Sequence, residues 1–122
     1  MPKDDWRTER LYLLNPDNLH GPCWRPAVDV YRDRGGWLVK FDLAGVPHAD
    51  IELTVHRRFL TVAGVRRDFA VREGRQAYSM EISYSRFERT IELPADLGRP
   101  TIRSESHDGM LLVSVQPPLN EP

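Results

Sequence analysis

The stretch Trp37-Leu38-Val39-Lys40-Phe41-Asp42-Leu43 alternates with a period of two. Trp37, Val39, Phe41 and Leu43 fall on one side, and Leu38, Lys40 and Asp42 on the other. That period is the mark of a strand with one face in a core. Gly45-Val46-Pro47 then supplies turn chemistry and ends it. The same period recurs downstream. Ile51, Leu53 and Val55 alternate with Glu52, Thr54 and His56. Arg57-Arg58 makes a polar turn, and Phe59-Leu60-Thr61-Val62-Ala63 follows with the β-branched side chains that strands favour.

Upstream, Val28, Val30 and Tyr31 open a short strand that stops at Gly35-Gly36. Residues 66–76 are charged and aperiodic, and read as a loop. Tyr78, Met80, Ile82 and Tyr84 alternate with Ser79, Glu81, Ser83 and Ser85, which predicts a further strand. Phe87, Arg89, Ile91 and Leu93 alternate with Glu88, Thr90 and Glu92 until Pro94 closes the run. Thr101 to Ser106 is a short polar strand containing Ile102. Asp108-Gly109 is a strong hairpin turn signal. Leu111, Val113 and Val115 form the last strand, which Pro117-Pro118 stops. About eight short strands, with no segment of helical period, predict an all-β, immunoglobulin-like sandwich of antiparallel strands.

The 122 residues are enough for one domain with short tails. Residues 1–26 read as an N-terminal arm. Pro2, Pro16, Pro22 and Pro26 prevent a long helix there. Trp6, Leu11, Tyr12, Leu13 and Leu14 make the arm too apolar for an ordinary polar tail. It packs either on its own domain or on something else. Residues 27–116 form the domain, and 117–122 a short tail.

The 17 basic and 18 acidic residues leave a net charge of −1. No global field would hold a nucleic acid or an acidic membrane surface, so neither is an expected partner. Two lysines, Lys3 and Lys40, stand against fifteen arginines. Arginine suits contact surfaces, though a base-composition bias explains the imbalance as well. One cysteine, Cys23, excludes an internal disulfide and a cysteine-cluster zinc site. The start MPKDDWRTERLYLL has no apolar signal-peptide core, and no run approaches the roughly 20 apolar residues of a membrane helix. A cytoplasmic, soluble protein is expected.

Catalytic signals are missing. His20, His48, His56 and His107 do not lie at metal-ligand spacing. Ser106-His107-Asp108 holds the three residue types of a relay, but strand neighbours alternate faces and do not line up. No phosphate-cradling glycine motif occurs. Arg57-Arg58 and Arg66-Arg67, with Phe59 and Phe69 nearby, are interspersed with Asp50, Glu52, Asp68 and Glu73, which argues against base stacking. No enzyme, cofactor or metal is expected.

Three segments together resemble the α-crystallin domain of the small heat-shock proteins, in its bacterial form. Trp24-Arg25-Pro26-Ala27-Val28-Asp29-Val30-Tyr31 is similar to the W-x-P-x-V-D-V-Y start of that domain. Asp42-Leu43-Ala44-Gly45-Val46 with Asp50-Ile51 is similar to its D-L-P-G-V…D-I run, with Ala44 in the proline place. Phe87-Glu88-Arg89…Leu93-Pro94, followed by Ser104…Gly109-Met110-Leu111-Leu112-Val113, resembles its F-x-R…L-P segment and its A-x-x-x-x-G-V-L-x-V hallmark. Ser104 stands in the alanine place. The likeness spans residues 27–116.

The resemblance implies an ATP-independent holdase, which binds partly unfolded client proteins and keeps them from aggregating under stress. It implies an apolar groove for clients or peptides, formed by Leu53, Val55, Ile102 and Ser104. Leu53 and Val55 also read as plain sandwich core. It implies a homodimer made by strand exchange. Tyr78, Met80, Ile82 and Tyr84 would cross to a partner's edge near Val28 and Val30, unless the segment forms a hairpin within its own chain. Arg89, a mid-strand charge, is expected to be ion-paired near that interface. The family's C-terminal I-x-I/V motif is not found in Gln116-Pro117-Pro118-Leu119-Asn120-Glu121-Pro122, which favours a dimer or small oligomer over a large cage. The alternative is an interaction module, co-chaperone-like or a scaffold, with one dedicated partner.

Overall fold

The structure, a computed structural model, describes residues 23–96 and 98–118. The apolar arm through residue 22 and the tail from residue 119 lie outside the described residues. Seven strands are formed: β1 (Val28–Asp33), β2 (Gly36–Asp42), β3 (Ile51–His56), β4 (Phe59–Arg66), β5 (Ser85–Glu92), β6 (Thr101–His107) and β7 (Met110–Gln116). They make two antiparallel sheets, ordered β1-β2-β7-β6 and β3-β4-β5. Among the described residues the only helical element is a single 3₁₀ turn, His48–Asp50, ahead of β3.

The period-two alternation decides what is buried. Val39 sits opposite Val113, and Phe41 opposite Leu111, on the inner face of the larger sheet. Leu60, Val62 and Phe87 supply the facing layer. All seven of these side chains are at most 1% exposed. They form one continuous core between the sheets.

Turn geometry fixes the registers. β1 and β2 close through Arg34-Gly35, at φ of 52° and 83°, and β6 and β7 through Asp108-Gly109, at 52° and 85°. Two successive positive φ values match the right-handed twist of a tight hairpin. The Asp108-Gly109 turn is thus as expected from the sequence. The expected Gly35-Gly36 turn is shifted by one residue: Gly36 pairs with Asp33 as the first residue of β2, and is buried.

Two further differences concern the middle of the chain. β4 runs on to Arg66, three residues beyond the expected end, because Val65 is still core and Arg66 still pairs with Ser85. The predicted strand Tyr78–Tyr84 is not formed, which leaves seven strands instead of about eight. The physical reason is a missing neighbour. A strand must pair its backbone groups, and no strand within the described residues takes 78–84 as a partner.

Candidate functional site

Strand β3 is an edge of the smaller sheet, and β6 an edge of the larger one. On β3, Leu53 lies opposite Val62 and Val55 opposite Leu60, so both point to the inner face. On β6, Ile102 lies opposite Val115 and Ser104 opposite Val113, so these also face inward. All four are half-buried. The turn ahead of β3 is tied to β6 by a 3.3 Å hydrogen bond between His48 Nε2 and Ser104 Oγ. The two edges therefore lie on the same side of the sandwich. Leu53, Val55 and Ile102 also pack on the buried core, so each side chain serves the core with one flank and lines the edge with the other.

The other edge of the larger sheet is β1, which is also unpaired. Val28 faces Phe41 and packs on the core, while Val30, opposite Val39, is 42% exposed. Tyr31 on the outer face is 45% exposed. The Tyr31 hydroxyl, first, and the Asp29 carboxylate, less strongly, hold the Lys40 ammonium above its ordinary pKa. That ammonium lies 3.8 Å from Asp29.

Between β4 and β5 the chain makes a long excursion, residues 67–84. Its bulky apolar side chains point into solvent: Phe69 is 87% exposed, Tyr78 101%, Met80 58% and Ile82 63%. Together they present apolar surface to solvent within one loop. Tyr84, at its base, is half-buried.

Arg89 is held within its own chain by a carbonyl. Among the described residues it has no ion pair; its Nη1 donates to the carbonyl of Pro26 at 3.0 Å, and its buried Nε has no partner. The cause is the covering of β5 by the segment ahead of β1. Trp24 bridges to Phe87, with backbone bonds to Arg86 and Glu88, and its ring meets Phe87 at 5.2 Å. The guanidinium thus meets a carbonyl where a carboxylate was expected. Trp24 and Arg66 organise this region through contacts with each other that the sequence reading did not place.

The described residues hold no group of three or more histidine, cysteine or acidic side chains able to bind a metal. They contain no helix long and apolar enough to cross a membrane.

Residues 29–122 match the family model described as Hsp20/alpha crystallin family. The chain is 29% identical over 94 residues to spore protein SP21 of Stigmatella aurantiaca, covering 77% of this chain and 56% of that protein. It is 35% identical over 94 residues to 18 kDa antigen 2 of Mycobacterium avium, covering 75% and 67%. The chain thus spans little more than half the length of the first of these relatives. Among solved structures, heat shock protein 16.0 of Schizosaccharomyces pombe superimposes with a TM-score of 0.66 at 26% identity, covering 77% of this chain and 87% of that one.

Proposed function

The chain belongs to the Hsp20/alpha crystallin family, whose small heat shock protein relatives support a chaperone role, and we propose that it is a holdase working without ATP. One observation carries this reading: unpaired strand edges stand beside exposed apolar side chains on a stable sandwich. An unfolding client exposes the complementary features, apolar side chains and unpaired backbone. The β3–β6 edge, with Leu53, Val55, Ile102 and Ser104, takes client side chains, and the exposed backbone of an edge accepts an added strand. Covering client surface gains about 25 cal/mol per Å², so a few hundred square ångströms hold a client without chemical energy.

The working unit in this reading is a cytoplasmic homodimer. Tyr78, Met80, Ile82 and Tyr84 cross to the β1 edge of a partner copy, near Val28 and Val30. That crossing supplies the neighbour that 78–84 lacks within its own chain, and the two-fold arrangement makes the exchange mutual. Arg89 has a structural role beside this interface, and no residue acts as a catalyst.

The test is capture. A thermolabile client is heated with the protein in nucleotide-free buffer and run on a sizing column. Co-elution of the two as a soluble complex is expected. A client that is lost entirely to the pellet, with the protein eluting alone and folded, would overturn the reading.

A further inference from the structure

We infer that Arg66 is the positioning residue of the 67–84 excursion, and that through Trp24 it couples the segment ahead of β1 to that excursion. Arg66 is the last residue of β4 and pairs with Ser85, the first of β5, so the excursion leaves and returns at one register position. From there the guanidinium reaches three separate pieces of chain. Nε and Nη2 donate to the Ser83 carbonyl at 2.9 and 2.7 Å, and Nη1 donates to the Ala44 carbonyl at 3.1 Å. Its Cζ lies 4.2 Å from the centre of the Trp24 ring and 5.7 Å from that of Tyr84.

Trp24 closes the cluster. Its indole N–H donates to the Ser85 carbonyl at 3.2 Å, and Ser85 holds a positive φ of 75° that a non-glycine residue rarely takes. Ser83 and Ser85 are therefore gripped from two sides, and the grips touch each other. This fixes the direction in which the exposed Tyr78, Met80 and Ile82 are presented. The fork is needed for it. Two N–H groups on one carbonyl, a third on another and a flat stack on indole suit guanidinium, whereas an ammonium has no plane to stack. Arg66 contributes nothing to the buried core, so its loss should loosen the excursion and leave the sandwich intact.

The consequence for assembly rests on the strand-exchange reading, but the positioning claim is tested without it. In the full chain, with Cys23→Ser, spin labels at Ser79→Cys and Ser114→Cys report the distance from excursion to sandwich. Labelled protein is diluted into excess unlabelled protein, so that each pair lies within one chain. With Arg66 present the distance distribution is narrow. Arg66→Ala, and Arg66→Lys with the charge kept, broaden it at an unchanged thermal midpoint. Trp24→Leu broadens it too, and the double variant adds little, as coupled residues do. A distribution as narrow in Arg66→Ala and Arg66→Lys as in the parent would overturn the positioning role. Broadening that simply sums in the double variant would overturn the coupling. Sedimentation of the same variants reads the dimer separately: Arg66→Ala should raise its dissociation constant about tenfold. A parent protein that stays monomeric would refute strand exchange, while the label distances still decide Arg66.

Discussion

His48 Nε2 and Ser104 Oγ meet at 3.3 Å, holding the turn ahead of β3 to strand β6 of the opposite sheet. This contact ties the two edges together, and residue 104, on the inward face of β6 with Ile102, carries only a small side chain.

Filling that position should block the edge, and it also removes the exposed His48 hydrogen bond. Ser104→Trp is expected to weaken capture of a fluorescent unfolded client about tenfold, measured by anisotropy. Its thermal midpoint should stay close to that of the parent, because Ser104 is only half-buried. Unchanged capture by a folded Ser104→Trp protein would remove the edge from the mechanism.

Leu53 and Ile102 have a double duty, so their variants need two readings. Leu53→Ala and Ile102→Ala should each cost about 1–2 kcal/mol in urea unfolding, below the range for fully buried sites, because each residue is only partly buried. Capture should fall further than that loss of stability explains when measured well below the unfolding midpoint. Capture that tracks stability alone would make both residues core and nothing more.

The excursion carries the assembly prediction. Replacing residues 78–84 with a Gly/Ser linker should give a folded monomer by static light scattering. A dimer that survives the replacement would show that 78–84 does not hold the copies together.

Packing around Gly64 gives a pure stability test. Gly64 lies opposite Phe87, and a Cβ there would come within 2.8 Å of the Phe87 ring. Gly64→Val should cost about 3 kcal/mol, the upper end of overpacking. Phe87→Ala should cost about 3–5 kcal/mol, since Phe87 is 1% exposed and carries the Trp24 contact. Urea unfolding measures both, and a cost below about 1 kcal/mol would contradict the packing described.

What the sequence made legible follows from which interactions are local. The alternation Trp37-Val39-Phe41 and the Asp108-Gly109 pair specify β2 and the β6–β7 hairpin from residues adjacent in the chain. Strand 78–84 has the same alternation and fails, because period two reports what a segment offers and says nothing of whether a neighbour is there to pair with it. Arg89 was assigned an ion pair near the dimer interface, and the carbonyl it meets within its own chain lies 63 positions away. Arg66 looked like one more charge in a polar loop, since its contacts with Ala44 and Ser83 lie 22 and 17 positions distant. The four edge residues were named from a family likeness, and the registers show only that they share the inner faces of two neighbouring edges.

The most direct measurement is light scattering of a heated, aggregation-prone client with and without this protein, in buffer free of nucleotide. Suppression of aggregation near equimolar ratio, repeated with several unrelated clients, is the predicted result. Undiminished aggregation of every client in the presence of folded protein would contradict the holdase reading, and would leave the sandwich as a module for one dedicated partner.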